Sequence, residues 1–193
     1  MLTNEEQYAL ILRVRDGDRE AFGLIYKSYF DALHRFANYR ISNEEDRDDI
    51  LGKVFAEVFD TLRQGKEVRD LRAYFYQVLR NIIFDYYKER RLVREKEIEL
   101  GEAGVERVRD NAALNPEEKI DREIDYQRAL KHIGRLREEQ REVIQLRFFE
   151  ELEISEIAIV MNKSHVGARV LLHRALEALK KAYYEDSRTD STA

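Results

Sequence analysis

The chain has 193 residues, enough for one ordinary domain or two small ones, and its formal net charge is −5. It contains one proline, eight glycines and no cysteine, which excludes disulfides and thiolate metal sites and favours helix over turn-rich sheet. No apolar run approaches the ~20 residues that cross a bilayer, and the acidic start MLTNEEQYALILRVRDGDRE lacks a signal-peptide pattern, so a cytoplasmic protein without membrane insertion is expected.

Leu10, Ile11 and Val14 open an amphipathic helix that Asp16-Gly17-Asp18 ends. Phe22, Ile25, Tyr26 and Phe30 continue the helical spacing. Ser42-Asn43-Glu44-Glu45 reads as a helix start with acid in its first turn. Leu51, Val54, Phe55, Val58, Phe59 and Leu62 form the apolar stripe of that helix. Its outer face gathers Asp46, Asp49, Glu57 and Asp60 around Lys53. Such a face either docks a basic partner or is simply solvated, and periodicity does not separate the two. Gln64-Gly65-Lys66 ends the helix, and a long helix follows from Leu71 to Arg91. Residues 92–125 contain Gly101, Gly104 and Pro116 with few large apolar residues, and read as a linker, partly helical or disordered. A second helical block runs from Tyr126 to Tyr184. The expected fold is all-α: a helical domain over 1–91, a linker over 92–125, a smaller helical domain over 126–184 and a frayed tail over 185–193.

The acid is unevenly placed. Residues 1–91 hold 16 Lys and Arg against 17 Asp and Glu; residues 92–125 hold 6 against 11; residues 126–193 hold 12 against 11. The excess therefore sits in the linker. Residues 72–91 (five basic, two acidic) and 163–181 (five basic, one acidic) are locally basic. Two basic helical patches on an acidic chain suit a nucleic-acid partner together with a protein partner, or are ordinary solvated faces.

The patch over 152–181 has the pattern of two helices around a tight turn. Leu152, Ile157, Ala158 and Met161 face one way on the first. Asn162-Lys163-Ser164 supplies the turn, because Asn tolerates the left-handed conformation and Ser caps the next helix. Ala168, Leu172, Ala175 and Leu179 line the buried side of that helix. Val166, Arg169, Val170 and His173 lie opposite, flanked by Arg174 and Lys180. In a DNA-binding helix-turn-helix these side chains enter the major groove; in a plain helical hairpin they are solvated.

The long helix LRAYFYQVLRNIIFDYYKERR has two sides. Leu71, Phe75, Val78, Leu79, Ile82 and Tyr86 cluster on one. Tyr76, Gln77, Arg80, Phe84, Tyr87, Lys88 and Arg91 belong to the other, a mix of aromatics and cations that suits unpaired nucleic acid. The alternative is that Phe84 and Tyr87 pack on a neighbouring helix. The histidines His34, His132, His165 and His173 are scattered without an i+4 histidine pair. No phosphate-binding loop, nucleophile elbow or metal cluster is present, so neither an enzyme nor any metal or other cofactor is expected.

Two long segments resemble one family. DREAFGLIYKSYFDALHRFANYRISNEEDRDDILGKVFAEVF with LRAYFYQVLRNIIFDYYKERR resembles region 2 of the extracytoplasmic-function sigma factors of the sigma-70 family. LREEQREVIQLRFFEELEISEIAIVMNKSHVGARVLLHRALEALKKAY resembles their region 4. The resemblance implies a transcription-initiation factor that binds core RNA polymerase and promoter DNA. It implies that Asp46, Asp49, Leu51 and Phe55 dock the β′ clamp helices. It places the loop 63–70 and the helix bearing Tyr76, Gln77, Arg80, Asn81, Phe84, Tyr87 and Lys88 at the melted −10 element. It places Ser164, His165, Val166, Arg169, Val170, His173 and Arg174 at the −35 element, and Leu146, Phe148 and Phe149 near the β flap. The linker would thread basic channels of the polymerase. An anti-sigma factor is a further partner that the family often has; without cysteine, a redox switch would reside outside this chain.

The chain departs from the family at Gly52-Lys53, where a Gln-Glu pair is usual, at Arg137, where proline is usual, and at Val166-Gly167-Ala168 and Val170-Leu171 in the recognition helix. The first bears on docking and the last two on −35 preference. Two other readings remain open at this point: a two-domain helix-turn-helix regulator that does not replace sigma, and a helical interaction protein without a DNA role.

Overall fold

A computed structural model describes residues 2–99 and 132–190, and every regular element within them is helical. Expectations for residues 100–131, which include most of the linker, lie outside the described residues. The chain divides into two compact units, Met1–Asn111 and Ala112–Ala193.

The first unit contains α1 (Asn4–Arg15), α2 (Arg19–Asn38), α3 (Glu44–Arg63) and α4 (Leu71–Glu99). Each start is written in a short polar side chain. Thr3 and Glu6 form a reciprocal capping box on α1, and the Thr3 N–H holds the Glu6 carboxyl below its usual range. Asp18 accepts from the N–H groups of Glu20 and Ala21 to cap α2, while Arg13 pairs with it at 2.7 Å. Asn43 accepts from Asp46 N–H at 2.9 Å to cap α3, and Asp70 accepts from Ala73 N–H at 2.8 Å to start α4. Gly17 and Gly65 adopt φ of 91° and 73°, the left-handed turns that a side chain resists, and so end α1 and α3.

Ile25, Tyr29, Leu33 and Phe36 of α2, Leu51, Val54, Phe55, Val58 and Leu62 of α3, and Phe75, Val78, Leu79 and Ile83 of α4 are buried together, with Val14 of α1 closing one side. Phe55 lies at the centre of an aromatic chain, 4.4 Å from the Tyr26 ring and 5.2 Å from Phe75, which in turn lies 4.9 Å from Tyr29. Such ring pairs add about 0.5–1.5 kcal/mol each beyond the area they bury. The buried Arg47 donates to the Asn38 side chain at 2.8 Å and to the Ile41 carbonyl at 3.4 Å, fastening the end of α2 to the start of α3.

Two boundaries differ from expectation. α4 does not stop at Arg91 but continues to Glu99, because Leu92-Val93-Arg94-Glu95-Lys96 contains no helix breaker. The last helix continues past Tyr184 to Asp190.

The second unit contains a helical turn at His132–Gly134, α5 (Glu138–Ile144), a π-helical turn over Gln145–Phe149, α6 (Ile154–Val160) and α7 (His165–Asp190). Helix α7 packs against both α5 and α6. Val143, Ile144, Leu146, Leu152, Ile157, Val160 and Met161 are buried with Ala168 and Ala175 of α7. The small side chains let α7 approach closely. After the π turn, Glu151 takes a left-handed φ of 54°, and Leu152 N–H returns to the Leu146 carbonyl at 2.9 Å, which turns the chain into α6.

Candidate nucleic-acid interface

The expected turn between α6 and α7 is present. Asn162 adopts a left-handed φ of 50°, and Lys163 N–H closes onto the Ala158 carbonyl at 2.9 Å. Ser164 caps α7 by accepting from Gly167 N–H at 3.0 Å. Lys163 also reaches Glu139 of α5 at 3.1 Å, so the turn is tied to the body of the unit. Gly167 suits this cap: a Cβ there would lie 3.1 Å from Ser164 Oγ. From this start α7 buries Ala168 and Ala175 and turns His165, Val166, Arg169, Val170, His173 and Arg174 outward, all exposed. On the π turn, Leu146 is buried, Phe149 is half-buried and Phe148 projects outward.

On α4 the outward arc carries Gln77 and Arg80, both half-buried, and the exposed Asn81, Phe84, Tyr87 and Lys88. Phe84 is 64% exposed, so it does not belong to a wider core. Tyr76 does not belong to the outward arc. It is 1% exposed and meets Phe36 edge-on at 5.3 Å. At 100° per residue Tyr76 falls about 80° from Phe84, on the shoulder of the helix. Because α2 and α3 both pack on α4, the buried arc is wide enough to take that shoulder. Ile83 rather than Ile82 completes the buried stripe.

The position of α4 is set by phenols that the sequence pattern did not single out for this role. Tyr86 donates to Asp46 Oδ2 at 2.7 Å, and Arg90 reaches the same carboxylate at 3.0 Å while also donating to the Tyr86 oxygen. Tyr87 donates to the Arg40 carbonyl. Burial first, and the bond to Asp46 second, push the Tyr86 phenol above its ordinary 10.0, against the opposing pull of Arg90. Apart from the i,i+4 contact of Arg90 with Tyr86, these bonds link groups 40 to 47 residues apart, for which no local spacing exists.

The proposed docking set on α3 is split by the fold. Leu51 and Phe55 are 2% and 5% exposed and belong to the core, as their place in the apolar stripe requires. They do not form an exposed apolar edge. Asp46 is engaged by Tyr86 and Arg90. Asp49 remains on the outward stripe with Gly52, Lys53, Ala56 and Asp60, all exposed.

The description "Sigma-70 region 2" matches residues 25–93, which hold most of α2, all of α3 and α4 as far as residue 93, and "Sigma-70, region 4" matches residues 132–181, which hold the α6–α7 turn. An ECF RNA polymerase sigma factor of Streptomyces coelicolor, BldN, is 28% identical over 183 residues, covering 93% of this chain and 66% of that protein. SigX of Bacillus subtilis, also an ECF RNA polymerase sigma factor, is 23% identical, covering 84% of this chain and 83% of SigX. Among solved structures, the fold is similar to that of CnrH in complex with the cytosolic domain of CnrY, with a TM-score of 0.62 at 21% identity, covering 92% of this chain and 97% of that one. It is also similar to the sigma factor RpoE in complex with the anti-sigma factor NepR from Bartonella quintana, with a TM-score of 0.60 at 19% identity, covering 83% and 95%. With both regions present and in that order, the chain belongs to the sigma-70 family, within its extracytoplasmic-function group.

Proposed function

We propose that the chain is an alternative sigma factor that binds core RNA polymerase, directs it to promoters and holds the melted strand. Its role is recognition rather than catalysis, and it works in the cytoplasm. The −35 element is read as duplex by α7, beginning at the Ser164 cap. The −10 element is held after melting by Gln77, Arg80, Asn81, Phe84, Tyr87 and Lys88 of α4. Docking on the β′ clamp helices uses the outward stripe of α3 around Asp49, not Leu51 and Phe55, and Phe148 is the exposed residue offered to the β flap. An anti-sigma factor is a further partner, on the likeness to the CnrH and RpoE complexes.

The observation that carries this reading is Phe84, a large aromatic ring left in solvent on a helix whose opposite side is fully packed. Duplex DNA hides its base faces, whereas an unpaired strand offers them, and each stacked base contributes roughly 1–3 kcal/mol. The test is promoter-dependent transcription by core polymerase with and without the full chain, with permanganate reporting unpaired thymines. Arg80→Ala and Asn81→Ala should lower permanganate reactivity while binding to duplex promoter persists. Normal opening by both variants refutes the assignment of α4. Transcription that does not require the chain refutes the sigma reading itself.

A further inference from the structure

Most of the outward arc of α7 is polar or charged, with two exceptions near its start. Val166 and Val170 are 69% and 41% exposed. A branched aliphatic side chain is a poor choice for an exposed helix position. It loses rotamer freedom against the preceding turn and leaves apolar surface in water. These two stand one turn apart, and at 100° per residue Arg169 and His173 lie on the same arc, within about 60° of Val166. The first turn is held by the Ser164 cap and the Lys163–Glu139 pair, so the two side chains are presented from a fixed start.

The major groove of B-DNA displays hydrogen-bond donors and acceptors on every base pair and a single kind of apolar group, the thymine C5 methyl. Two aliphatic knobs flanked by donors match a groove floor that presents methyls beside acceptors. We infer that Val166 and Val170 are specificity-determining residues that read thymine methyl groups in the −35 element, with Arg169 and His173 donating to neighbouring base edges or phosphates. Val166 and Val170 are separated by about 6 Å along the helix axis, close to two base-pair rises of about 3.4 Å, so the thymines read lie one or two pairs apart. The inference rests on the reading of α6–α7 as the −35 reader.

Deoxyuridine tests it, because it keeps every hydrogen-bonding group of thymine and removes only the methyl. Holoenzyme made from core polymerase and the full chain would first select duplexes from a random-sequence pool. The upstream half of the selected sites is then remade with deoxyuridine at each thymine in turn. Binding should fall about fourfold at one or two positions, the worth of one buried methyl group. Val166→Ala should abolish that sensitivity at one position and Val170→Ala at another, with the salt dependence unchanged because no cation has been removed. Alanine is a better helix former than valine, so both variants should keep their circular dichroism. A pool that shows no upstream enrichment overturns the −35 reading of α7. Enrichment without a deoxyuridine effect, or with an effect that survives both substitutions, overturns the methyl readout alone.

Discussion

Helices α4 and α7 each bury one side and leave the other bare, but they are bare in different ways and held by different means. On α4 the exposed apolar groups are the rings of Phe84 and Tyr87, set among the amides of Gln77 and Asn81. On α7 they are the compact side chains of Val166 and Val170, set among Arg169, His173 and Arg174. Flat rings complement base faces, which exist only where strands are parted; branched aliphatics complement methyls on the floor of an intact groove. The supports differ as well. α7 is positioned chiefly by neighbours in sequence, through the Asn162 turn and the Ser164 cap, with the Lys163–Glu139 pair tying that turn to α5. α4 is positioned by distant residues, through Tyr86 and Arg90 onto Asp46. On the proposed roles, the surface for a melted strand is braced by bonds 40 or more residues long in sequence, and the one for intact duplex chiefly by a local turn and cap.

The largest effect that separates the two sides of α4 is a pair of phenylalanines nine residues apart. Phe75 is enclosed between Tyr29 and Phe55. Phe75→Ala should destabilise the first unit by about 3–5 kcal/mol, through lost burial and the cavity left behind. Tyr76→Ala should behave like it, since Tyr76 is in the core. Phe84→Ala should change stability by no more than about 0.5 kcal/mol, as exposed substitutions do, yet slow promoter opening. Urea unfolding followed by circular dichroism measures the first, and permanganate footprinting of the holoenzyme the second. Equal destabilisation by Phe75→Ala and Phe84→Ala would show that α4 has no bare side.

The next effect sets α4 against α7 directly. Arg169→Ala should weaken duplex promoter binding by about 1–3 kcal/mol if Arg169 holds a base, and should chiefly reduce the salt slope if it holds a phosphate. On a template with a pre-melted −10 bubble the same variant should retain its contacts to the open strand. Gel-shift titrations on closed and bubble templates would expose a false division of labour, because the variant would then lose affinity on the open strand assigned to α4.

Local signals made α7 legible and left much of α4 hidden. Asn162 in the turn, Ser164 at the cap and small alanines at 158 and 168 are neighbours in sequence, and each has one cheap structural role. The helix start at Asn43 and the glycine stops at 17 and 65 are readable for the same reason. The bonds of Tyr86 and Arg90 to Asp46 span 40 and 44 residues and have no periodic trace. Tyr76 defeats a two-faced helical wheel because its shoulder position is buried only when two helices pack on one. Leu51 and Phe55 teach the converse: their spacing already placed them in the apolar stripe, and family likeness pointed to a docking role that their burial does not permit. The π turn at Gln145–Phe149 adds a residue to one helical turn, and nothing in the composition of QLRFF signals it.

A smaller effect probes the brace itself. Tyr86→Phe removes the bond to Asp46 and should cost about 0.5–1.5 kcal/mol. The pH dependence follows in sign. The folded state holds the Tyr86 proton more tightly than the unfolded chain does, so the contribution of this group is complete below about pH 10, the ordinary phenol value, and declines as pH rises through the higher folded value. Wild type should therefore lose stability more steeply than Tyr86→Phe above pH 10, in urea titrations at fixed ionic strength. Parallel decline in the two proteins would mean that the phenol is not held by the fold.

The smallest effect concerns the third bare surface, the outward stripe of α3, and it separates folding from docking. Gly52 lies in the interior of a twenty-residue helix, exposed, with nothing within 4 Å of the place a Cβ would occupy. Glycine there gives the unfolded chain freedom that the helix must remove, and no close approach within the unit requires its absence of a side chain. Gly52→Ala should stabilise the first unit by about 0.5–1 kcal/mol, raising the urea midpoint at unchanged slope. The family usually carries a longer side chain at this position, so a single methyl on the stripe proposed for docking should leave affinity for core polymerase within about twofold, less than the ~1.4 kcal/mol that a tenfold change requires. Measured together, the two quantities should part company, with stability rising and docking unmoved. A loss of core affinity alongside the gain in stability would place Gly52 itself against the polymerase. The stripe would then differ from α4 and α7 in kind, reading its partner by the lack of a side chain rather than by the one it shows.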